Sequence, residues 1–266
     1  MRLCENLSHG RFTVQYLFFL LKSTNEHGVH SPFVFNLITG CLYRKTHTSK
    51  ITAFNLFSKK IKSNFTVIEV EDFGKGSKVF KGNFRKIADI AKVAGISSKK
   101  ALLLMRMVEY FNFHHILEIG TSVGLGTAAL HIGNPNSKII TLEGCKSTAF
   151  QASEMFRSFQ FKNIEQKIGN FSDTLPQVSA KNTFDLVYFD GNHQKEATLN
   201  YFNECLKTMN NNSVFIFDDI YWSEEMQETW DEIKQHPKVT VTINMYFWGI
   251  VFFRLEQAKQ HFTIRI

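Results

Sequence analysis

Three acidic side chains end two long apolar stretches of the chain, and a histidine follows one of them. Asp190 ends the run FDLVYFD, His193 comes three residues later, and Asp218 and Asp219 end the run SVFIFDD. A histidine can accept a proton near neutral pH. Carboxylates brought together repel one another unless a cation lies among them, and a hard divalent ion such as Mg²⁺ suits oxygen ligands. The alternative for Asp190 and His193 is an ordinary turn after a strand, with the histidine bonded to nearby backbone.

A second group of residues has the spacing of a site for a nucleotide-like cofactor. The stretch EIGTSVGLGT (118–127) is rich in glycine, which permits a tight turn and lets a ligand touch the backbone. Its spacing, G-x-x-x-G-x-G, differs from the G-x-G-x-x-G of dinucleotide enzymes. Glu143 lies further along the chain, at a distance that suits an acid binding the hydroxyls of a ribose. The stretch IGNFSDTL (168–175) would lie beside an adenine, although a plain loop is an equally good interpretation of it.

The elements that must position these residues alternate between strands and helices from about residue 96 onward. Strands are predicted for HHILEIG (114–120), KIITLEG (138–144), IEQKIG (164–169), FDLVYFD (184–190) and SVFIFDD (213–219), with helical patterns between them. This alternation predicts a doubly wound α/β sheet, whose parallel strands end at one edge. KVTVTIN (238–244) and YFWGIVFFRL (246–255) are too close together for a parallel connection, so they predict an antiparallel hairpin.

Composition narrows the class of protein further. The 266 residues are 44% hydrophobic and 21% charged, which is typical of a soluble globular protein. The four cysteines lie far apart and form no CxxC pair, which argues against a zinc site or a disulfide framework and fits a reducing compartment. The early apolar run VQYLFFLL is too short to span a bilayer. We therefore expect a cytoplasmic protein with no membrane partner.

The charge is distributed unevenly along the chain. Residues 1–100 contain 17 Lys and Arg against 6 Asp and Glu, a balance of +11, whereas residues 101–266 contain 14 against 18, a balance of −4. A solvated basic face explains this asymmetry, and so does attraction of a polyanionic substrate such as RNA. The loop EDFGKGSKVFKGNFRK could bind phosphate through Lys75, Lys78, Lys81 and Arg85, or could simply be exposed.

Taken together, these motifs resemble the class I S-adenosylmethionine-dependent methyltransferases over residues 96–266. Within that class they are most similar to the metal-dependent O-methyltransferases of the catechol and caffeoyl-coenzyme A type. The resemblance implies a Rossmann-like, seven-stranded sheet that ends in the antiparallel hairpin. It also implies that S-adenosylmethionine is the cofactor. The implied cofactor contacts are Glu118, Gly120, Thr121, Ser122, Gly124 and Thr127 around the methionine end, Glu143 and Gly144 at the ribose, Gly169, Asn170 and Phe171 beside the adenine, and Asp190.

The resemblance also implies roles for the acidic residues and the histidine. The catechol-type enzymes place an Asp and then an Asp-Asn pair at the positions of Asp190, Asp218 and Asp219, where they bind a metal. This chain has Asp-Asp instead, which keeps an oxygen ligand and adds negative charge. His193 falls where the catechol enzyme has its catalytic lysine. The D-G-x-H spelling is similar to a branch that methylates sugar hydroxyls, in which that histidine resembles the base. Asp190 and His193 are therefore the predicted catalytic residues.

The expected organisation is a mainly helical, basic cap over residues 1–95 and a methyltransferase domain over residues 96–266. The expected reaction is O-methylation of a small-molecule acceptor, assisted by His193 and by Mg²⁺ or another divalent cation. Two alternatives stay open: methylation of RNA or another polyanion, and a non-catalytic scaffold that uses the same fold. A homodimer is a further open expectation.

Overall fold

The computed structural model describes residues 13–73, 80 and 82–266, and its centre is one large sheet. The strands of the described chain are β1 Val67–Glu69, β2 Phe84–Lys86, β3 His115–Ile119, β4 Lys138–Glu143, β5 Ile164–Ile168, β6 Leu186–Phe189, β7 Val214–Asp218, β8 Val241–Asn244, β9 Trp248–Phe252 and β10 Gln260–Thr263. Strands β3 to β10 form the large sheet in the order β10-β8-β9-β7-β6-β3-β4-β5, and β1 and β2 form a separate antiparallel pair.

The predicted doubly wound sheet is confirmed. Strands β5, β4, β3, β6 and β7 are parallel neighbours. Strand β9 is antiparallel to both β7 and β8, as predicted for the hairpin. Among the described residues the sheet has eight strands rather than the seven expected, because β10 adds to the far edge in parallel with β8.

Helices cover both faces of the sheet. The α-helices are Pro32–Leu37, Thr48–Lys62, Ile87–Val93, Ser98–Phe111, Leu125–Gly133, Lys146–Ser158, Phe171–Ser179, Lys195–Cys205 and Glu224–Gln235, and residues 13–22 are also helical. Glu26–Gly28 forms a 3₁₀ turn and Ile38–Leu42 a π turn. Within the described residues, no helix is long and apolar enough to cross a bilayer.

Each central strand contributes to two cores because successive side chains point to opposite faces of a sheet. On β6, Leu186 and Tyr188 belong to the core on one face, whereas Val187 and Phe189 belong to the core on the other. This double burial explains why the strand is apolar throughout rather than alternating with polar residues.

The first core continues into the N-terminal region without a break. It includes Val34 and Phe57 from that region, Met105 from helix Ser98–Phe111, and Phe252 from β9. Thr24 also forms a parallel bridge with Ile264, just beyond β10. The division at residue 95 stays a prediction, since the two parts share one hydrophobic cluster.

Candidate functional site

The candidate site lies at the edge of the sheet where β3, β4, β6 and β7 end. These strands are parallel, so the loops that follow them meet at that edge. The backbone N–H of Asp190 donates to the carbonyl of Ile119 at 2.9 Å, and that of Gly120 donates to the carbonyl of Leu142 at 3.0 Å. Backbone hydrogen bonds therefore join the ends of β3, β4 and β6, where the three sequence motifs begin.

The glycine loop passes too close to its neighbour for any side chain at Gly120. Gly120 has φ +108°, and a Cβ there would lie 2.2 Å from the carbonyl oxygen of Asp190. Gly124, at φ +87°, begins helix Leu125–Gly133, and a Cβ there would lie 2.7 Å from the ring of Phe156. Two of the loop glycines are thus required both by backbone conformation and by space.

Glu143 ties the end of β4 to this loop. Its Oε2 accepts a hydrogen bond from the backbone N–H of Ser122 at 2.6 Å, and its Oε1 accepts one from the N–H of Cys145 at 2.9 Å. Burial raises the pKa of this carboxyl, against the lowering effect of those backbone donors. The hydroxyl of Thr148 and the backbone N–H of Gly144 also lower this pKa by hydrogen bonding, so the carboxylate is surrounded by donors.

Glu118 and Thr127 lie behind the loop rather than in an opening. Both are fully buried. Oε2 of Glu118 accepts hydrogen bonds from the hydroxyls of Thr127 at 2.5 Å and Thr141 at 2.6 Å. Burial raises the pKa of Glu118 to about 8. Their contact with the methionine end of the cofactor stays a prediction, and in the structure both residues pack between the sheet and helix Leu125–Gly133.

Two adjoining cavities open at this edge. The smaller has a volume of about 190 Å³, and its walls include Gly120, Ser122, Glu143, Gly144, Asn170, Phe171 and Asp190 from the predicted set, with Phe73 over Gly144. The larger, of about 550 Å³, shares Gly120, Ser122 and Asp190 with the first and adds Lys100, Thr121, His193, Asp218, Asp219 and Trp222. Gly124, Gly169, Glu118 and Thr127 line neither. The structure therefore brings most of the predicted residues to one continuous opening.

Asp190 stands where the two cavities meet. Burial raises the pKa of Asp190 well above its ordinary value, and repulsion from Asp218 and Asp219 adds to the shift. Both effects favour the protonated form of this carboxyl, which can donate a hydrogen bond as well as accept one.

Lys100 is the main feature of the site that the sequence did not predict. Its Nζ lies 2.5 Å from Oδ1 of Asp218 and 2.9 Å from Oδ1 of Asp219. Burial alone lowers the pKa of Lys100, but the two carboxylates outweigh that effect and raise it above its ordinary value. Burial and repulsion from Asp219 raise the pKa of Asp218, against the lowering effect of Lys100. Because Tyr188 and the N–H of Asp219 also donate to Asp218, we assign it as the ionised partner of a charged lysine.

This arrangement places a lysine among the predicted metal ligands. In the part of the chain that the structure describes, no three His, Cys, Asp or Glu side chains form a group that could hold a metal ion. Asp190, Asp218 and Asp219 do converge, as expected from the strand ends. The ammonium of Lys100, however, forms ion pairs with Asp218 and Asp219. The predicted ligand set therefore does not fit a divalent metal.

His193 lies in the loop after β6 and lines the larger cavity. The backbone N–H of His193 donates to the carbonyl of Gly191 at 3.0 Å, and His193 adopts φ +49°. The centre of its ring is 6.4 Å from that of Trp222. The turn predicted as the alternative is thus present in the backbone, while the half-buried side chain stands at the cavity wall. The two interpretations are compatible.

Of the four predicted phosphate ligands in the basic loop 71–86, Arg85 lies within the described residues. Lys75, Lys78 and Lys81 lie outside the described residues. Arg85 is buried and binds both carboxylate oxygens of Asp72, and its Nε donates to the carbonyl of Gly82 at 3.0 Å. Arg85 therefore joins Asp72 and Gly82 within this loop, and its guanidinium already has a carboxylate partner. Nucleic-acid binding through this loop stays a prediction.

One feature of the sequence indicates that Lys100 needs an acidic partner. Lys100 lies in the first turn of helix Ser98–Phe111, where a positive charge opposes the helix dipole. A lysine at such a position suggests a partner carboxylate elsewhere in the fold. Which carboxylate it meets depends on packing across 118 residues of chain.

The comparisons with known proteins agree with this geometry. Residues 117–220 match the family model described as a methyltransferase domain. No curated protein sequence matches the chain significantly. The match to the family model runs from within β3 to just beyond β7, and it includes the loops that follow β3, β4 and β6.

Several solved structures share the fold. An S-adenosylhomocysteine-bound methyltransferase from Podospora anserina superposes with a TM-score of 0.59 at 13% identity, covering 85% of this chain and 97% of that one. An O-methyltransferase from Bacillus cereus, in complex with S-adenosylhomocysteine, gives 0.55 at 17% identity, covering 88% and 99%. The O-methyltransferase TomG from Streptomyces achromogenes, in complex with S-adenosylmethionine, gives 0.54 at 19% identity, covering 61% and 82%. The chain thus shares the fold of these methyltransferases, as expected from the class that its motifs resemble, and residues 117–220 match a methyltransferase domain.

Proposed function

We propose that the protein transfers a methyl group from S-adenosylmethionine to a hydroxyl oxygen of a small molecule, with His193 as the general base. The observation that carries the proposal is the continuous opening at the strand ends. Its smaller part is walled by the glycine loop and Glu143, and its larger part by His193 and Trp222.

The residues around the smaller cavity suit the cofactor, whose methionine end would extend into the larger cavity, because about 190 Å³ is below the range of about 300–1,000 Å³ for small-molecule sites. Glu143 places a carboxylate at the cavity wall as an acceptor for ribose hydroxyls, Phe171 offers an apolar ring, and Ser122 and Gly120 bring backbone to the cavity wall. The Bacillus cereus and Streptomyces proteins, which share this fold, bind S-adenosylhomocysteine and S-adenosylmethionine. When bound, S-adenosylmethionine supplies an electrophilic methyl group on a sulfonium.

The larger cavity supports a small-molecule acceptor. Its volume of about 550 Å³ falls within the range of typical small-molecule sites, about 300–1,000 Å³. Apolar walls come from Val93, Ile96 and Leu125, and charged or polar walls include Lys100, Asp190, His193, Asp218 and Asp219. Such a cavity can enclose an organic ring and hold one hydroxyl beside a polar side chain.

His193 and Trp222 supply what the acceptor side needs. A neutral hydroxyl is a weak nucleophile, and the imidazole of His193 can take its proton as the oxygen attacks. The indole of Trp222 can cover the acceptor and limit the access of water. No metal step enters the proposal, because Asp218 and Asp219 are bonded to Lys100.

The experiment is methyl transfer from labelled S-adenosylmethionine to a panel of phenols, catechols and sugar alcohols, together with calorimetry of cofactor binding. We expect cofactor binding in the micromolar range and labelled product from at least one hydroxyl compound. Binding without product from any hydroxyl, but with product from amines or thiols, would move the activity to another acceptor atom. No binding at millimolar concentration would refute the proposed function.

A further inference from the structure

We propose that the ammonium group of Lys100 is the resident cation of the acceptor cavity, in the place between Asp218 and Asp219 where a divalent metal would otherwise bind, and that methyl transfer proceeds without a metal ion. The catalytic part of this inference rests on the proposed function. The part about cation binding rests on the ion pairs alone.

The first observation is that Lys100 is held from both ends. Its backbone N–H donates to the hydroxyl of Ser97, the residue that caps helix Ser98–Phe111, at 3.4 Å. Its Nζ reaches Oδ1 of Asp218 at 2.5 Å and Oδ1 of Asp219 at 2.9 Å. The side chain is 18% exposed, and that of Asp218 is 6% exposed. A lysine fixed in this way is a built part of the cavity rather than a surface charge.

The second observation is the number of groups that support the ion pair. The ring of Phe247 lies 5.9 Å from Nζ, within range of a cation–π contact. Asp218 also accepts hydrogen bonds from the hydroxyl of Tyr188 at 3.3 Å and from the backbone N–H of Asp219 at 2.9 Å. Buried ion pairs offset the loss of hydration only when such additional contacts are present.

The third observation is the cost of the lysine's position. A positive charge in the first turn of a helix is unfavourable, because the helix dipole is positive there. Removal of the lysine from water adds to that cost. Both costs are offset where two carboxylates face the ammonium, as they do here, so the position favours a lysine only in the presence of this acidic pair.

A metal and the ammonium cannot share this place. An ion bound to both Oδ1 atoms would lie about 2.1 Å from each for Mg²⁺, inside the volume that Nζ fills. The repulsion between a divalent ion and an ammonium at that separation would be strong in a partly buried site. The acceptor is therefore oriented by hydrogen bonds and cavity walls rather than by chelation, and it does not need two adjacent hydroxyls.

The first test uses the unmodified protein and Mn²⁺ as the probe. We expect no Mn²⁺ binding below about 1 mM by calorimetry, no increase in melting temperature with Mn²⁺, and turnover that a chelator leaves unchanged. Stoichiometric Mn²⁺ binding in the micromolar range, with activity lost to the chelator, would overturn the proposal. The Mn²⁺ measurements give a result even if no methyl transfer is found, so failure of the proposed function is recognised separately.

The second test compares Lys100→Ala with Lys99→Ala, a matched control because Lys99 is the adjacent, exposed lysine. Lys100→Ala should bind Mn²⁺ at least about tenfold more tightly than the unmodified protein, and Lys99→Ala should not. Turnover should fall in Lys100→Ala, because the carboxylates of Asp218 and Asp219 would then repel each other at the cavity wall, while calorimetric affinity for S-adenosylmethionine stays within about twofold of the unmodified protein. Lys100→Arg keeps the charge and should restore part of the turnover without Mn²⁺ binding. Unchanged Mn²⁺ affinity in Lys100→Ala would show that the ammonium does not occupy a cation's place.

Discussion

The carboxylate of Glu143 accepts a hydrogen bond from the backbone N–H of Ser122 at 2.6 Å, which joins the end of β4 to the glycine loop after β3. The acid predicted to bind the ribose is therefore also a support for the loop predicted to hold the methionine end. One side chain thus positions both halves of the predicted cofactor pocket. Removal of Glu143 should therefore weaken the contacts to the ribose and to the methionine end together.

We expect Glu143→Ala to weaken S-adenosylmethionine binding about tenfold to a hundredfold, since hydrogen bonds to a charged group contribute about 1.5–3 kcal/mol. Calorimetry measures the change. Glu165→Ala is the control, because Glu165 is exposed on neighbouring β5 and pairs only with Lys167 in the described contacts. Equal affinities for the two variants would show that Glu143 does not contact the cofactor.

His193→Ala should reduce turnover by about a hundredfold to ten-thousandfold, the usual contribution of a general base, and should leave cofactor affinity unchanged. Added imidazole should recover part of the activity if the cavity left by the side chain admits it. His114→Ala, at the opposite end of β3 and exposed, serves as the control. Near-normal turnover in His193→Ala would remove His193 from the mechanism.

Gly120→Ala should destabilise the protein, because the backbone there has φ +108° and a Cβ would lie 2.2 Å from the carbonyl oxygen of Asp190. The expected cost is at least about 2 kcal/mol, or a fall in melting temperature of about 5 °C. At Gly82, a Cβ would meet no heavy atom within 4 Å, so Gly82→Ala should be close to neutral. A Gly120→Ala protein as stable as Gly82→Ala would contradict the loop geometry.

Glu118→Gln should make the protein more stable than the unmodified form at alkaline pH. The pKa of Glu118 is raised by burial to about 8 from 4.5, so the folded state holds this proton more tightly than the unfolded state. Its contribution to stability is therefore complete below pH 4.5 and is lost as the pH rises towards 8, by about 1.4 kcal/mol per pH unit at most. The glutamine oxygen can replace Oε2 as acceptor for Thr127 and Thr141.

Urea unfolding at pH 6 and pH 8.5 measures this effect. The free energy of unfolding of the unmodified protein should fall more steeply between these values than that of Glu118→Gln. Parallel pH dependence in the two proteins would mean that Glu118 is already ionised in the folded state at pH 6.

The sequence predicted the central strands well because burial on both faces leaves a pattern that is readable locally. The run LVYF in β6 is apolar at every position, as the two cores require. Strand β10 has no such pattern. Its residues QHFT are exposed or half-buried at the sheet edge, and their pairing with β8 depends on a partner that local sequence does not identify.

The site was predictable where a motif lies within one loop, and less so where separate elements meet. Glu143, Asp190 and His193 all line the predicted opening. The cation between Asp218 and Asp219 was expected to be a metal, because charge balance calls for a cation without saying which one. Helix Ser98–Phe111 supplies it as Lys100, and this contact exists only in the assembled fold.

The continuous hydrophobic cluster has a consequence for how the chain loses its structure. Val34 and Phe57 from the N-terminal region pack in the same core as Met105 and Phe252, and Thr24 bridges Ile264 near the other end of the chain. Neither portion can separate without exposing the apolar face of the other. Melting should therefore be a single cooperative event, and trimming by a protease at either end should weaken the whole assembly rather than release an intact catalytic fragment.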